Sequence, residues 1–289
     1  MSAAETGSRQ TNSRATIEAC LAKGRPALMV YLPVGYPTVA GSIAAMEAVI
    51  DAGADIVEVG MPYSDPVMDG TVIQAAATTA LERGVRVDDV FEAVAAVRAA
   101  GATPVVMSYW NLVLHRGVHR FAADLKAAGG AGLITPDLIP EEAGEWIEAS
   151  DAYDLDRIFL VAPSSTRQRL ATVTAACRGF VYAASTMGVT GVRSQVGSSA
   201  EDLVARTREV SDVPVCLGLG VSTGEQAAQI GSYADGVIVG SALVRALTAD
   251  LTEDGATTGE LDPGLATLRS MTAELAAGVR RARPQVDHD

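Results

Sequence analysis

Short apolar segments recur eight times along the chain, separated by longer stretches in which small apolar residues have helical spacing. The short segments are continuously hydrophobic, which is typical of parallel strands buried on both faces. Eight strands that alternate with helices predict a single (β/α)8 barrel of the α/β class. An open doubly wound sheet is the second choice, and no Gly-x-Gly-x-x-Gly follows the first strand to support it. The predicted strands are residues 27–34, 55–59, 104–108, 132–135, 157–161, 179–183, 214–217 and 236–239.

The intervening stretches predict helices, and the chain ends are expected to lie outside the barrel. A chain of 289 residues has room for two domains, but barrels of roughly 250 residues form one. We therefore expect one domain over residues 16–280, a disordered N-terminal extension at 1–15 and a frayed end at 281–289. An amphipathic segment at 265–280 predicts an extra C-terminal helix. The other predicted helices are residues 41–52, 87–100, 119–128, 141–149, 167–176, 200–210 and 224–230.

Charge and cysteine content exclude several classes of protein. The chain carries 35 acidic and 22 basic residues, a net charge of −13, which argues against a nucleic-acid partner. Its three cysteines are widely spaced and no Cys/His cluster exists, so neither a disulfide framework nor a bound metal is expected. The polar first 15 residues lack the apolar core of a secretory leader, and no apolar run approaches the ~20 residues of a membrane span. A cytoplasmic location is expected.

The segment after the second predicted strand is the most unusual part of the sequence. Barrel enzymes collect their chemistry at the carboxyl ends of the strands. Glu58 lies within an apolar strand, and a buried carboxylate costs several kcal/mol unless it is paired or functional. Asp69 follows eleven residues later, in a loop that Pro62 and Pro66 restrict. Pairing of Glu58 with an arginine, and turn or metal-binding duty for Asp65 and Asp69, remain open alternatives.

Loops rich in glycine and small residues follow the last three predicted strands, at residues 185–191, 218–223 and 240–243. Glycines let backbone N–H groups approach an anion, and Ser241 can add a hydroxyl at the start of a helix. The loops after strands seven and eight are the usual phosphate site of this fold. The sequence therefore predicts that a phosphate group is bound there.

Six segments, in order, resemble the tryptophan synthase α-subunit family. The most specific is GMPYSDPVMDG at residues 60–70, directly after the strand that carries Glu58. The resemblance covers residues 27–247, nearly the whole predicted barrel. The other matching segments are YLPVGYPT (31–38), MSYWNLVLHRG (107–117), PDLIPEEA (136–143), FVYAASTMGVTG (180–191) and LGLGVST (217–223).

The resemblance implies a lyase that splits indole-3-glycerol phosphate into indole and glyceraldehyde 3-phosphate by a retro-aldol reaction, in the last steps of tryptophan biosynthesis. Glu58 matches the principal acid–base residue of the family, Asp69 its second catalytic carboxylate and Tyr182 its active-site tyrosine. Thr190 would lie in a loop that closes over the substrate. The resemblance implies further substrate contacts, to phosphate at Gly191, Gly220, Gly240 and Ser241, and to the indole ring at Tyr31, Met107 and Leu219.

The resemblance also implies a partner. Pro62, Asp65 and Asp137 would face a β subunit in an α2β2 complex, and that partner would carry pyridoxal phosphate. No cofactor is expected in this chain itself. Two alternatives remain open: a stand-alone indole-3-glycerol phosphate lyase, and a non-catalytic barrel that binds the ligand and activates a β subunit.

Four positions differ from the commonest family pattern. Tyr36 stands where an aspartate is frequent, Met68 where a smaller residue is frequent, Thr71 where a proline is frequent and Leu219 where a phenylalanine is frequent. None of them removes a predicted catalytic group. Because Met68 and Thr71 lie in or beside the loop expected to face the partner, coupling to a β subunit is less well defined by the resemblance than the chemistry is.

Overall fold

A computed structural model describes residues 12–184, 193–218, 220–247 and 262–283 of the chain. Their centre is a parallel sheet whose strands are almost entirely buried, as the continuous apolar runs predict. The strands are β1 (Ala27–Pro33), β2 (Ile56–Gly60), β3 (Thr103–Met107), β4 (Gly132–Ile134), β5 (Asp156–Ile158), β6 (Leu160–Val161), β7 (Val181–Ala184), β8 (Val215–Gly218) and β9 (Gly236–Val239).

The sheet follows the order β5-β4-β3-β2-β1-β9-β8-β7-β6, so that the first strand pairs with both β2 and β9. The two ends of this order are joined by the chain itself, because only Phe159 separates β5 from β6. β5 pairs with β4 and β6 with β7, and the carbonyl of Phe159 accepts a hydrogen bond of 3.1 Å from the Tyr182 amide. β5 and β6 together occupy the place of one barrel strand, so the nine segments form eight strand positions. This confirms the (β/α)8 barrel.

The predicted fifth strand at 157–161 is present but is divided at Phe159 into β5 and β6. Ile158 and Leu160 both belong to or pack on the inner apolar cluster, while Phe159 packs outward, so the in–out alternation persists across the break. What changes at Phe159 is the neighbouring strand to which the backbone hydrogen-bonds. Side-chain pattern alone could not reveal this exchange.

Helices surround the sheet, and none within the described ranges combines the length and apolar character that a bilayer crossing requires. A 3₁₀ turn at Pro140–Glu142 precedes the seventh helix, where a helix was predicted at 141–149. The helices are α1 (Ser13–Leu21), α2 (Val39–Asp51), α3 (Thr71–Glu82), α4 (Val87–Ala99), α5 (Trp110–Arg116), α6 (Val118–Ala127), α7 (Gly144–Ala152), α8 (Arg167–Ala176), α9 (Arg193–Arg208), α10 (Gly224–Gly231), α11 (Ser241–Leu247) and α12 (Asp262–Arg281).

Three of these helices, α1, α3 and α5, were not predicted. α1 begins at Ser13, so residues 13–15 of the expected tail are helical, and residues 1–11 lie outside the described part of the chain. Its start is set by Asn12, whose side chain accepts a hydrogen bond of 2.8 Å from the Ala15 amide. The last helix, α12, includes the predicted segment 265–280 and packs against α10 and α2 on the outside of the barrel.

Apolar side chains fill the barrel's interior toward the amino ends of the strands. α1 closes this end with Ile17 and Cys20, which are buried against the inner cluster. Ser13 donates hydrogen bonds from its amide and hydroxyl to Asp156, the first residue of β5, at 2.8 and 2.5 Å. The carboxyl ends of the strands are therefore the open mouth of the barrel. The strand residues of the inner cluster include Met29, Ile56, Val105, Ile134, Ile158, Cys216 and Ile238.

Candidate active site

Glu58 is the central residue of β2, one layer above the apolar filling of the barrel. Its register partners are Tyr31 in β1 and Val105 in β3. The side chain is fully buried, and neither carboxyl oxygen has a hydrogen-bond partner among the residues that the structure describes. Burial raises the pKa of Glu58 to about 8, so the carboxyl group is largely protonated at neutral pH. An arginine partner, the alternative considered from the sequence, is absent from the described contacts.

Tyr31 crosses the mouth of the barrel beside Glu58. A Cβ atom on Gly60 would lie 2.5 Å from the Tyr31 hydroxyl oxygen, so the ring occupies the space that a larger residue at position 60 would fill. Burial raises the pKa of Tyr31, and the nearby charges of Asp69 and Glu58 raise it further. The phenol is therefore neutral and offers one hydroxyl donor to the mouth.

Tyr182 approaches the same space from the opposite side of the barrel. It lies in β7, in register with Leu160 and Cys216, and its hydroxyl oxygen is 2.5 Å from the position of a Cβ atom on Gly218. Burial raises the pKa of Tyr182 strongly, followed by the charges of Glu58, Cys216, Tyr31 and Asp69. The structure thus brings together the three predicted catalytic side chains, Glu58, Asp69 and Tyr182, with Tyr31.

Asp69 lies in the loop between β2 and α3 and is half-buried. Its backbone carbonyl accepts a hydrogen bond of 2.7 Å from the Gln74 side chain in the first turn of α3. Burial raises the pKa of the Asp69 carboxyl, and a hydrogen bond with Tyr109 opposes that rise. The structure thus gives a partly desolvated carboxylate that a neighbouring phenol stabilises.

Tyr109 was not predicted as a site residue. It lies two residues after the end of β3, its ring is buried, and its hydroxyl oxygen accepts a hydrogen bond of 3.0 Å from the Met68 amide. Its ring packs against Tyr63, with centroids 5.0 Å apart. The sequence contained the signal, because a tyrosine immediately after a predicted barrel strand faces the mouth at which function collects.

Three of the four predicted phosphate residues are described, and they follow β8 and β9. Gly240 and Ser241 follow β9 and are half-buried, and a Cβ atom on Gly240 would lie 3.3 Å from Tyr31 Cβ. Gly220, after β8, has φ of +61°, a backbone conformation that favours glycine. Thr190, Gly191 and Leu219 lie outside the described residues. Met107, predicted at the indole slot, ends β3, and its carbonyl accepts a hydrogen bond of 2.9 Å from the Met61 amide.

The predicted partner residues follow β2 and β4, at the same end of the barrel. Asp65 and Asp137 are exposed, whereas Pro62 is buried. Both carboxyl oxygens of Asp137 accept hydrogen bonds from the Trp110 amide, at 2.9 and 3.1 Å. Large apolar side chains are also exposed after β2, β3 and β4: Val67 (78%), Met68 (52%), Leu114 (49%) and Ile139 (42%). We refer to these four as the apolar rim.

Two of the four positions that differ from the commonest family pattern lie together. Tyr36 and Thr71 line one cavity of about 400 Å³ beside α3. Burial raises the pKa of Tyr36, and the charge of Arg83 opposes this rise. Within the ranges that the structure describes, no three histidine, cysteine or acidic side chains are close enough together to bind a metal ion.

Comparison with known proteins agrees with this geometry. The family model described as tryptophan synthase alpha chain matches residues 17–270. The tryptophan synthase alpha chain of Mycobacterium avium (strain 104) is 61% identical over 264 residues, which cover 91% of this chain and 93% of that protein. That of Nocardia farcinica is 59% identical over 275 residues, covering 95% and 98% of the two chains.

Solved structures give the same answer. The structure of Mycobacterium tuberculosis tryptophan synthase in space group F222 has a TM-score of 0.85 and 57% identity, covering 94% of this chain and 99% of that chain. Tryptophan synthase subunit alpha from Legionella pneumophila, at 27% identity, still has a TM-score of 0.82 over 93% and 98% of the two chains. With a family model that spans the barrel and relatives matched over nine-tenths of its length, this chain belongs to the tryptophan synthase alpha chain family and acts in tryptophan biosynthesis.

Proposed function

We propose that this chain is a carbon–carbon lyase that cleaves indole-3-glycerol phosphate to indole and glyceraldehyde 3-phosphate. The observation that carries the proposal is Glu58, a fully buried carboxyl group without a partner among the described residues, directed into the mouth of the barrel. Burial of such a group lowers the stability of the fold, and no described hydrogen bond offsets this cost, as expected for an acid–base catalyst. Its pKa of about 8 suits proton transfer in both directions near neutral pH.

Glu58 performs both proton transfers in the proposed reaction. The protonated carboxyl gives its proton to C3 of the indole ring, which places positive charge on the ring. The hydroxyl on the adjacent glycerol carbon then returns a proton to the Glu58 carboxylate. The bond between C3 and that carbon breaks, its electron pair neutralises the indole ring, and the former hydroxyl oxygen becomes the carbonyl of glyceraldehyde 3-phosphate. The carboxyl group ends the cycle protonated, as it began.

Asp69 and Tyr182 act on the charge that develops during this cycle. Asp69, as an anion, stabilises positive charge on the indole nitrogen, and a partly buried carboxylate does so more strongly than a solvated one. Tyr182 faces Glu58 across the mouth, and burial keeps its phenol neutral. The hydroxyl can therefore donate a hydrogen bond to an oxygen that gains negative charge.

The phosphate group is assigned to the carboxyl ends of β8 and β9, at Gly220, Gly240 and Ser241, together with Gly191. Tyr31 supports this orientation, because it packs beside Gly240 at one end and reaches Gly60 at the other. A substrate with its phosphate at Gly240 would lay its indole ring along Tyr31, toward Glu58 and Asp69. Met107 and Leu219 would complete the apolar slot, and Thr190 would lie in the loop that closes over it.

We further propose a β subunit as partner in an α2β2 complex, docked over Pro62, Asp65 and Asp137. The apolar rim supports this surface, because four large exposed apolar side chains at one end of a barrel are unusual for a chain that works alone. Pyridoxal phosphate would belong to the partner and takes no part in the cleavage proposed for this chain.

Indole release from indole-3-glycerol phosphate tests the proposal, measured with the purified chain alone and with a β subunit added. We expect slow release by the chain alone and a large increase with the partner. Fast release that the partner does not change would indicate a stand-alone lyase. Absence of release under both conditions would contradict the lyase and leave a ligand-binding activator of the β subunit.

A further inference from the structure

We propose that Tyr109 is a positioning residue for Asp69, holding the loop between β2 and α3 so that the Asp69 carboxylate faces the reacting ring. The inference rests on the proposed function, in which Asp69 stabilises charge on the indole nitrogen. Neither the sequence motifs nor the family resemblance assigned a role in the site to this residue. Tyr109 does not touch the reacting bond in this proposal and acts through Asp69.

Tyr109 itself is fixed by its backbone and by its packing. It lies at the junction of β3 and α5, where its carbonyl accepts a hydrogen bond of 3.0 Å from the Ser108 hydroxyl. The next residue, Trp110, donates its amide to both carboxyl oxygens of Asp137. The Tyr109 side chain is 5% exposed, so it is held by packing as well as by its backbone.

The Tyr109 hydroxyl is directed to the loop between β2 and α3. The Met68 amide donates to the Tyr109 hydroxyl oxygen at 3.0 Å, although the Met68 side chain is 52% exposed. The hydroxyl hydrogen remains available to the adjacent Asp69 carboxylate, and this bond lowers the pKa that burial raises. The phenol therefore holds the backbone of the loop at Met68, directly before Asp69.

Within the described ranges, the other hydrogen bond of Asp69 involves its backbone and not its carboxylate. The Gln74 side chain donates to the Asp69 carbonyl at 2.7 Å. Burial and the hydrogen bond with Tyr109 are the influences on the Asp69 pKa among the described residues. The charge of Asp69 in turn raises the pKa of Tyr31, Tyr109 and Tyr182, and the charge of Glu58 raises that of Tyr31 and Tyr182. Tyr109 also feels the charge of Asp137. Among the described residues, the Tyr109 bond is what favours the ionised form of Asp69, and without it burial would raise the carboxyl pKa further.

The test compares Tyr109→Phe with Tyr63→Phe in the full chain. The two rings pack against each other, so each variant removes one hydroxyl and keeps the aromatic contact. The Tyr63 hydroxyl accepts only a long bond of 3.4 Å from the Asn111 side chain. Turnover is followed as indole release over pH. The Asp69 carboxyl pKa is followed by NMR of aspartate labelled at the carboxyl carbon, with the Asp69 signal identified by its loss in Asp69→Asn.

We expect Tyr109→Phe to raise the pKa of Asp69, since a hydrogen bond to the charged form is lost. Because the reaction needs the anion, the acid limb of kcat/KM moves to higher pH by the same amount. We expect kcat to fall about tenfold or more, with KM changed less than about threefold, because the lost bond matters most in the transition state. Tyr63→Phe should leave the Asp69 titration and kcat within about twofold of the unmodified chain.

The possible failures are distinguishable. An unchanged Asp69 titration in Tyr109→Phe would overturn the positioning role, and with an inactive Asp69→Asn it would leave the proposed function intact. Full turnover by Asp69→Asn would overturn the proposed role of Asp69 and with it the catalytic purpose of Tyr109. Equal shifts in both phenylalanine variants would also contradict the proposal, because they would point to general loosening of the loop instead of one hydrogen bond.

Discussion

Tyr31 and Glu58 are register partners in the adjacent parallel strands β1 and β2, so their side chains enter the barrel at the same level and from the same face of the sheet. The tyrosine therefore lies beside the carboxyl group, which is fully buried. Tyr182 faces the same space from β7. This arrangement explains why Glu58 is protonated near neutral pH, because burial of the carboxyl group raises its pKa to about 8.

Replacement of Glu58 by glutamine is expected to lower indole release by at least about 100-fold, since general acid–base catalysis contributes on that order. In the unmodified chain, release should fall as pH rises through about 8, because Glu58 then loses the proton that it gives to the indole ring. Indole release measured between pH 5 and 10 checks both statements. An alkaline limb in Glu58→Gln that matches the unmodified chain would assign the limb to another group.

The same substitution makes a separate prediction about stability. Because the pKa of Glu58 is higher in the folded chain than in the unfolded one, the folded state binds more protons, and stability falls as pH rises from about 4.5 to about 8. Glutamine resembles the protonated carboxyl, so Glu58→Gln should be more stable than the unmodified chain by a few kcal/mol at pH 9 and similar to it at pH 4. Urea unfolding at the two pH values measures the difference. A smaller gain at pH 9 than at pH 4 would contradict the assigned burial.

Gly60→Ala is expected to impair catalysis while leaving the fold intact. The new methyl group would meet the Tyr31 hydroxyl at 2.5 Å, and the ring end must move because backbone at position 60 is fixed in β2. Displacement of Tyr31 in the slot should lower kcat/KM about tenfold or more, since misplacement by about 1 Å can cost 100-fold. Gly144→Ala is the matched control, because nothing lies within 4 Å of its added methyl group. Equal kcat/KM in the two variants would show that the position of Tyr31 does not matter for the reaction.

Ser241→Glu is expected to raise KM by at least about 100-fold through charge repulsion with the substrate phosphate. Gln229→Glu adds the same charge at an exposed position on α10 and serves as the control. Inhibition by inorganic phosphate gives a second measurement, and it should disappear in Ser241→Glu alone. Unchanged phosphate inhibition in that variant would place the phosphate elsewhere.

Most of the fold was predictable because parallel strands buried on both faces leave a continuous apolar pattern. The helices that were missed have physical reasons. α3 begins only after a loop with two prolines, and its first residues, Thr71 and Val72, have low helix propensity. α1 depends on its Asn12 cap and on tertiary contacts with the barrel, neither of which hydrophobic spacing records.

The site was predictable where one residue type contradicted its surroundings, as Glu58 did in an apolar strand. Tyr109 had no such contrast, because an aromatic residue beside apolar ones is ordinary in a core, and its place directly after a predicted strand was the one sequence signal. Its importance depends on a hydrogen bond to Met68, 41 residues earlier in the chain, which only the folded structure brings together. The partial burial of Asp69 has the same origin, since it depends on how the loop packs and not on the loop's composition.

Ser13→Ala is expected to destabilise the fold without changing catalysis. The hydroxyl of Ser13 donates to the buried Asp156 carboxylate at 2.5 Å, and the second carboxyl oxygen has no hydrogen-bond partner among the described residues. Loss of the bond should lower the free energy of unfolding in urea by about 1–3 kcal/mol. The loss should be larger at pH 7 than at pH 4, because the Ser13 bond favours the ionised form of Asp156, whose pKa burial raises. Because α1 lies at the opposite end from Glu58, kcat should stay within about twofold; a large fall in kcat would show that α1 also shapes the mouth.

Ile139→Glu tests the partner surface separately from the chemistry. Ile139 is 42% exposed, belongs to the apolar rim and lies two residues after Asp137, which is predicted to face the β subunit. A charge buried in an interface without a counter-ion typically weakens binding by several kcal/mol, so the affinity for a β subunit should fall at least about 100-fold. Ala95→Glu, at an exposed position on α4, adds the same charge away from the rim and should bind normally.

Titration calorimetry gives the affinities, and indole release by the chain alone should be unchanged in both variants, since Ile139 is not a site residue. Equal affinity of both variants for the β subunit would exclude this part of the rim from the interface, whereas weaker binding by Ile139→Glu alone would locate the partner over the loops that follow β2 and β4.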